Sequence, residues 1–286
     1  MVRSHGRRRD RVGDAERRVA EHRDAQSAWR RLPEARVVQR RHPGRRHPRG
    51  PDRAVSRGFA LRPLHVAITS GPTREPIDDV RFVSNVSTGR LGVAVAQAFL
   101  AAGHRVTLLH GLGSATPSAP SAGLSLVPFE SASSLSEALL RTFSSPDAPH
   151  LLIQAAAVAD YAPVKSDGKI KSTAPELVVR MLPTPKVADG FARAFPRVPI
   201  VMFKLESGIA LDELRARATA TMRRVNARAV VANLLGDVGP DHHRAELIRA
   251  DGSRVAFGDR DALARGLVEE ASRIVDGDAI RQGREP

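Results

Sequence analysis

From residue 64 onward, short apolar segments suited to buried β-strands alternate with segments that have the period of an α-helix. LHVAIT at 64–69 predicts a strand, GRLGVAVAQAFLAAG at 89–103 predicts a helix, and RVTLLHG at 105–111 predicts the next strand. The alternation continues to AELIRADGSRVAFG, where Asp251 and Gly252 predict the turn of a hairpin. This pattern predicts an α/β fold with a three-layer, mostly parallel sheet and a C-terminal hairpin.

Residues 1–62 differ from the alternating part in composition. They contain 19 arginines, seven acidic residues and no lysine, whereas residues 63–286 contain 26 basic and 24 acidic residues. Low hydrophobicity with high net charge predicts disorder, because too little apolar surface is available to offset chain entropy. We therefore expect a disordered, arginine-rich extension at 1–62 and one folded domain at 63–286.

Three interpretations of this extension stay open: a dispensable segment, a basic arm that binds nucleic acid or an acidic surface, and a cap on the folded domain. The nearly neutral charge of residues 63–286 argues against a broad nucleic-acid-binding surface. The chain has no cysteine, which excludes disulfide bonds, thiolate metal sites and a cysteine nucleophile, and which fits a cytoplasmic protein. No run of eighteen apolar residues is present, so we expect no membrane span.

Four polar segments follow predicted strands, at 70–89, 154–161, 203–207 and 232–236. Ligands of open α/β sheets bind outside the carboxyl ends of the strands, so these segments are expected to converge on one cleft. The first is the most informative, because about twenty residues separate strand from helix where two to six are usual.

The long segment SGPTREPIDDVRFVSNVSTGRLG, at 70–92, has the composition of an anion-binding loop. It combines hydroxyl groups with Arg74, Arg81 and Asn85, and it leads into a predicted helix start near Gly89, where unpaired backbone N–H groups favour anions. The alternative is an ordinary surface loop in which Asp78 and Asp79 only form turns. Long loops at strand ends in compact domains are usually functional, which favours the first interpretation.

Two further patterns suggest a site for a phosphorylated ligand. In AAAVADY, at 155–161, alanines allow a ligand to approach the backbone, and Asp160 could accept a hydrogen bond or help hold a metal; close packing with a turn aspartate is the alternative. The chain uses 40 arginines but only five lysines, all of which lie between 165 and 204. Lysine carries a compact charge on a flexible stem, so its restriction to one window favours a role with phosphates, most of all for GKIK within a segment, 162–175, that is expected to be mobile.

Two patterns argue against other sites. Tyr161 and Lys165 have the spacing of a short-chain dehydrogenase pair, but Pro163 breaks the helix that such a pair requires. A G-x-G-x-x-G fingerprint is also missing after the first strand. His242 and His243 are neighbours in sequence and are expected to form a surface turn rather than a metal site.

The motifs ITSGPTREPIDDVRFVSN, STGRLG, AAAVADY, GKIK, FKLES and VVAN follow one another in this order. Together they resemble the phosphopantothenoylcysteine synthetase family of coenzyme A biosynthesis, over about residues 64–275. The resemblance implies a Rossmann-like domain that activates the carboxylate of 4′-phosphopantothenate with a nucleoside triphosphate. In bacterial members CTP gives an acyl-cytidylate and pyrophosphate, and the amine of L-cysteine then displaces CMP. It also implies Mg²⁺ as a cofactor and a homodimer.

The resemblance assigns roles to individual residues of this chain. Asn85, with Arg81 and Ser84, is expected to bind the phosphopantothenoyl group, and Lys169 is expected to lie on a flap and to supply charge to the reacting phosphate. Asn85, Lys169 and Arg81 are therefore the expected catalytic residues. The nucleotide site is expected to comprise Lys169 together with Gly71, Ala155, Ala156, Asp160, Thr184, Pro185 and Phe203. No residue is assigned to a metal.

This sequence departs from the family pattern at several positions. Ser172 stands where a lysine is usual, Lys186 where an aspartate is usual, and Leu234 where an aspartate follows the asparagine. Lysines of the preceding helix are replaced by Arg223 or Arg224. Arginine replaces the charge but not the mobility of lysine, so the choice between CTP and ATP stays open.

Many bacterial members also carry a flavin-dependent decarboxylase domain. The 62 residues of the extension are too few for it, so no flavin is expected on this chain and the decarboxylase would be a separate protein. Two other classes are retained as alternatives: an NAD(P)-dependent Rossmann reductase, and a non-catalytic protein that binds nucleotides or nucleic acid.

Overall fold

A computed structural model describes residues 63–173, 175–239 and 242–281. The prediction for the extension at 1–62 lies outside these residues.

The described residues form twelve strands, five α-helices and a short 3₁₀ turn at Leu235–Asp237. The strands are β1 His65–Ser70, β2 Arg74–Pro76, β3 Phe82–Ser84, β4 Arg105–Gly111, β5 Leu124–Phe129, β6 Leu151–Gln154, β7 Tyr161–Pro163, β8 Met181–Pro183, β9 Ile200–Glu206, β10 Ala229–Leu234, β11 Ala245–Arg249 and β12 Arg254–Phe257. The helices are α1 Arg90–Ala101, α2 Ala132–Phe143, α3 Val187–Ala194, α4 Leu211–Arg224 and α5 Arg260–Arg281.

Eight strands form one sheet, in the order β12-β11-β10-β9-β6-β1-β4-β5. All neighbouring pairs from β5 to β10 are parallel, whereas β11 pairs antiparallel with both β10 and β12. The chain first adds strands on one side of β1 and then returns to add β6, β9 and β10 on the other side. This reversal is the topological switch point of a Rossmann-like sheet, and it lies between β1 and β6.

Helices cover both faces of the sheet. One apolar core lies under α2, α3 and α4 and contains Leu135, Phe191 and Leu214. The other lies under α1 and α5 and contains Phe99 and Leu267. Alternate residues of each central strand enter opposite cores, so both faces of the sheet are buried. The predicted three-layer, mostly parallel architecture with a C-terminal hairpin is confirmed.

Side chains cap the starts of two helices, and the predicted hairpin turn is confirmed. Ser131 caps α2, since its hydroxyl accepts from the Ser134 N–H at 3.2 Å and the Ser134 hydroxyl accepts from the Ser131 N–H at 2.9 Å. The Asp259 carboxylate accepts from the Ala262 N–H at 2.7 Å at the start of α5. Gly252 has a φ of 84° in the turn between β11 and β12.

Two small antiparallel ribbons were not predicted. β2 pairs with β3 inside the long segment after β1, and β7 pairs with β8 across the segment that was expected to be mobile. Strands of three residues are too short to show a period of two, which is why the pattern did not reveal them. None of the described helices is long and apolar enough to cross a membrane.

Candidate active site at the switch point

Backbone hydrogen bonds join β1 and β6 beyond the ends of the two strands. The Ala157 N–H donates to the Gly71 carbonyl at 2.9 Å, and the Thr73 N–H donates to the Ala157 carbonyl at 3.2 Å. Pro72 and Ala157 are thereby paired as an isolated parallel bridge. The segment after β1 is therefore held against the segment after β6 at the switch point.

Two threonines fix the alanine-rich turn. The Thr69 hydroxyl accepts from the Ala156 N–H at 3.1 Å, and the Thr73 hydroxyl accepts from the Ala159 N–H at 3.0 Å. Both threonines are fully buried. They satisfy two backbone donors of the turn, which keeps Ala155 and Ala156, half-buried, at the carboxyl end of β6.

The start of α1 packs directly on the end of β1. The Ser70 hydroxyl donates to the Gly89 carbonyl at 3.0 Å, and a Cβ atom on Gly92 would lie only 2.1 Å from the Ser70 Oγ. Gly71 has a φ of 80°, and a Cβ there would lie 2.6 Å from the side chain of Ser114. This close approach places the first turn of α1, with its unpaired N–H groups, beside the switch point.

Asp78 is the main structural residue of the loop at 77–81, called here the Asp78 loop. Its carboxylate accepts from the backbone N–H of Ile170 at 3.0 Å and of Val80 at 2.8 Å, and from Arg81. The Arg81 Nη1 also donates to it at 2.6 Å and to the Ile170 carbonyl at 3.3 Å. The Ile170 N–H, followed by the other donors, lowers the pKa of Asp78 to about 2. The ionised carboxylate therefore ties the Asp78 loop to the residue next to Lys169.

Three further contacts hold the Lys169 segment, residues 165–171, against the same loop. Lys165 forms an ion pair with Asp79 at 2.8 Å, which lowers the pKa of Asp79. The Ser166 N–H donates to the Ile77 carbonyl at 2.8 Å, and the Asp79 N–H donates to the Gly168 carbonyl at 3.5 Å. The interpretation of Asp78 and Asp79 as mere turn formers is therefore wrong, since both bind a segment about ninety residues away.

Asn85 follows β3 and returns to the switch point. Its Nδ2 donates to the Ala157 carbonyl at 3.2 Å, while the Ser84 hydroxyl donates to the Thr73 carbonyl at 2.8 Å. Asn85 is exposed. The side chain is thus tethered beside the alanine-rich turn and remains open to a ligand.

The other predicted nucleotide residues divide between two places. The Thr184 N–H donates to the Asp160 carbonyl at 2.9 Å and its hydroxyl donates to the Ala159 carbonyl, so Thr184 and Pro185 lie against the alanine-rich turn. The exposed Asp160 carboxylate pairs with Lys186. Phe203 instead packs against the core under α1 and α5, on the other face of the sheet. A ligand could contact both Phe203 and Thr184 only if it lay over the carboxyl ends of the strands.

Three of the five lysines are in ion pairs. Lys165 pairs with Asp79, Lys186 with Asp160, and Lys204 with Glu206 at 2.9 Å. The two that form no ion pair with any described residue are Lys169 and Lys171, both exposed. These are the lysines of GKIK, so this pair has its charge available for a ligand.

Unpaired buried polar atoms gather at the carboxyl edge of the sheet. Within the described residues, six buried side-chain atoms have no hydrogen-bond partner, and four of them lie at this edge: His110 Nδ1, Gln154 Oε1, His243 Nε2 and Arg260 Nε. Buried polar groups are normally paired, so these four atoms are candidate contacts for a ligand. The polarity of these residues was visible in the sequence, but their burial was not.

His243 differs from its prediction. His242 is exposed, but His243 is buried, because Val238 pairs with it in a bridge that turns its ring inward. Burial, followed by the nearby Arg260 charge, lowers the pKa of His243 and favours its neutral form. No group of three His, Cys, Asp or Glu side chains in the described part of the chain could hold a metal ion.

The geometry can be compared with that of known proteins. The family model of the DNA/pantothenate metabolism flavoprotein C-terminal domain matches residues 61–274. The chain belongs to this family. The resemblance to phosphopantothenoylcysteine synthetases, inferred from the motifs, is confirmed at the level of the family.

Two relatives show how much of each longer protein this chain matches. The coenzyme A biosynthesis bifunctional protein CoaBC of Thermococcus kodakarensis is 34% identical over 193 residues, which are 67% of this chain and 46% of that protein. A cysteine/cysteine sulfinic acid decarboxylase from an unknown prokaryotic organism is 38% identical over 181 residues, 63% of this chain and 48% of that protein. This chain spans about half the length of these relatives.

The fold of the family is also known. A crystal structure of the DNA/pantothenate metabolism flavoprotein from Streptococcus pneumoniae superposes with a TM-score of 0.67 at 25% identity, and the match covers 74% of this chain and 99% of that one. The helices and strands described above therefore belong to the common fold of the family.

Proposed function

We propose that this chain is a phosphopantothenate–cysteine ligase that forms phosphopantothenoylcysteine in coenzyme A biosynthesis. One observation carries the proposal: hydrogen bonds join, pair by pair, four segments that are far apart in sequence. Asn85 is bonded to Ala157, the Lys169 segment is bonded to the Asp78 loop, and Asp160 is bonded to Thr184. Family membership supports the proposal, but it does not by itself assign a reaction to this chain.

The proposed reaction proceeds in two steps. A carboxylate oxygen of 4′-phosphopantothenate attacks the α-phosphorus of the nucleotide, the bond to the bridging oxygen breaks, and pyrophosphate leaves with the electron pair. The amine of L-cysteine then attacks the acyl carbon, the bond from that carbon to the phosphate oxygen breaks, and the nucleoside monophosphate leaves while the nitrogen loses a proton. Both steps depend mainly on positioning and on stabilising negative charge.

The residues divide this work in the following way. Lys169 supplies a free cation to the reacting phosphate, and Arg81, held by Asp78, orients that segment and contacts the phosphopantothenoyl group together with Ser84. Asn85 stabilises the acyl group during the second step through its side-chain amide. The nucleotide lies against the alanine-rich turn, with Gly71, Asp160, Thr184 and Pro185 around it and Phe203 reached across the strand ends.

Magnesium is proposed as the companion of the nucleotide rather than as a metal held by the protein alone. Mg²⁺ is commonly bound by substrate phosphates with one or two carboxylates. Asp160 is the exposed carboxylate at the alanine-rich turn, and it would have to leave Lys186 to take this role. CTP is the proposed nucleotide on the basis of the resemblance to bacterial members.

The proposal also concerns partners. A homodimer is proposed because the two ribbons expose large apolar side chains, including Phe82 and Tyr161. A separate phosphopantothenoylcysteine decarboxylase would consume the product, and a cytoplasmic location fits the absence of cysteine from the sequence. The reductase alternative loses support, because the segment after β1 forms a ribbon joined to β6 rather than a short glycine-rich turn.

The activity can be measured directly. The protein is incubated with phosphopantothenate, cysteine, Mg²⁺ and CTP, ATP, UTP or GTP in turn, and the products are followed by mass spectrometry. We expect the nucleoside monophosphate, pyrophosphate and a new thiol-containing amide in equal amounts, with CTP preferred. If none of the four triphosphates is cleaved, the proposed function is refuted.

A further inference from the structure

The side chain of Gln154 is buried in a position that leaves its oxygen without a partner. Gln154 is the last residue of β6 and is 5% exposed, and its Oε1 accepts no hydrogen bond from any residue that the structure describes. Leaving such an acceptor unpaired destabilises a folded chain, whereas an apolar side chain of similar volume would not. A role within the fold therefore does not explain this glutamine.

Its position in the sheet shows which way it faces. Gln154 is paired in register with Thr69 on β1 and with Met202 on β9, so it lies at the switch point itself. Alternation along β6 puts it on the same face as Leu152, which belongs to the core under α2, α3 and α4. Ala156, two residues further on, packs against that same core at the carboxyl edge.

The neighbouring polar groups each have a partner elsewhere. The Thr69 hydroxyl accepts from the Ala156 N–H, and Lys204, two residues beyond Met202 on the same face of β9, donates to Glu206 at 2.9 Å. Ser70 and Thr73 likewise bond to backbone groups. Gln154 differs from these residues, because no described residue supplies a partner to its oxygen.

We propose that Gln154 recognises the base of the nucleotide and selects cytosine and adenine, in which an exocyclic amine lies beside an unprotonated ring nitrogen on the Watson–Crick edge. This inference rests on the proposed function. The amide oxygen accepts from the amine, and the amide N–H group donates to the adjacent ring nitrogen, which is the pairing that cytosine and adenine offer and that the keto edges of uracil and guanine do not. Ala155 and Ala156, which follow Gln154 at the carboxyl edge and are half-buried, have small side chains that would obstruct a flat ring little.

Other parts of the substrates fit this position less well. A carbonyl oxygen repels phosphate and carboxylate groups, so it does not suit the triphosphate or the acid of phosphopantothenate. The remaining donors are the ribose hydroxyls, the hydroxyl and amide N–H of phosphopantothenate, and the amine of cysteine. A contact with any of these would leave the preference among bases unaltered, and the experiment below separates such a contact from recognition of the base.

The test uses Gln154→Leu in the full chain, with Gln97→Leu as the matched control, since Gln97 is exposed on α1. Calorimetry measures binding of CMP, UMP, AMP and GMP, and the ligase assay measures kcat/KM for the four triphosphates and KM for cysteine. We expect Gln154→Leu to reduce the preference for cytosine and adenine over uracil and guanine by roughly 10- to 100-fold, with cysteine KM unchanged. We also expect its melting temperature, without ligand, to be equal to or above that of the unaltered protein, and Gln97→Leu to change nothing.

Each contrary result has a distinct meaning. An unchanged base preference would overturn the inference, as would a rise confined to the KM of cysteine. A lower melting temperature with unchanged base preference would identify Gln154 as a structural residue and would also refute it. The unaltered protein could cleave no triphosphate and still bind CMP more tightly than UMP, with the difference lost in Gln154→Leu. In that case the ligase proposal fails while this inference stands.

Discussion

At the scale of single residues, Asp78 is the residue that holds the exposed Lys169 segment in place. Its carboxylate is buried and binds the backbone beside Lys169 as well as Arg81. Asp79, the next residue, makes a comparable ion pair with Lys165, but both of these side chains are about half exposed. The two neighbouring aspartates therefore contribute differently, because Asp78 is buried and Asp79 is not.

This difference predicts unequal effects of the same substitution at neighbouring positions. Asp78→Asn removes the charge that holds Ile170 and Arg81, so we expect kcat/KM of the ligase reaction to fall roughly 10- to 100-fold through misplacement of Lys169. Asp79→Asn breaks an exposed ion pair and is expected to change kcat/KM by about two-fold or less. Limited proteolysis should cleave the Lys169 segment faster in Asp78→Asn only. Equal effects of the two variants would contradict this account.

Asn85 and Lys169 are predicted to act in different steps. Asn85→Ala should still release pyrophosphate in a first turnover but form the amide about 100-fold more slowly, because a donor to the acyl group is lost. Lys169→Ala should slow pyrophosphate release itself by a similar factor, and Lys169→Arg should recover part of it, since the charge is retained. Rapid-quench analysis of both products distinguishes the steps. Normal turnover in both alanine variants would refute the site assignment.

At the scale of secondary-structure elements, close packing determines where the site lies. α1 can start beside β1 only because Gly92 leaves room for the Ser70 side chain. Gly277 is the useful comparison, since it lies within α5 and a Cβ atom there would meet nothing within 4 Å. Glycine is a poor helix former in both places, so only the packing differs.

Opposite changes in stability are expected from the same substitution in these two helices. Gly92→Ala should lower the free energy of unfolding by about 1–3 kcal/mol, because the new methyl group overlaps Ser70. Gly277→Ala should raise it by up to about 1 kcal/mol through helix propensity. The double variant Ser70→Gly with Gly92→Ala should recover part of the loss. Chemical denaturation measures all three, and a stabilised Gly92→Ala would contradict the packing argument.

The same scale shows what the sequence could and could not predict. The large sheet and its order of elements followed from alternation, because each long strand and helix carries its own hydrophobic period. The ribbons at β2–β3 and β7–β8 have no such period, and contacts with distant segments such as Ile170 hold them in place. The motif resemblance named Asn85 and Lys169, but Asp78, Thr69 and Gln154 required knowledge of burial and of partners far along the chain.

At the scale of the whole molecule, the two ribbons form an exposed apolar surface. Of the large hydrophobic side chains that are exposed in the described residues, seven lie on or beside these ribbons: Val80, Phe82, Val86, Tyr161, Leu177, Val178 and Met181. β2 and β7 contact each other, so the side chains share one region next to the Asp78 loop. Exposed apolar side chains that lie close together are typical of interaction sites. The proposed homodimer would cover it and would bring the Lys169 segments of two copies close to their sites.

A charge placed in this surface should therefore separate the copies without unfolding either one. Light scattering after gel filtration should give a mass twice the 30.9 kDa of one chain. Met181→Asp, at a side chain that is 37% exposed on β8, should weaken the dimer by about 30-fold or more, because a carboxylate would be desolvated in an apolar contact. Leu126→Asp, at a comparably exposed residue on β5 at the far edge of the sheet, should leave the mass unchanged. If Met181→Asp keeps the dimer, or if the unaltered protein is a monomer at micromolar concentration, the ribbons are not the interface and each site must be complete within one chain.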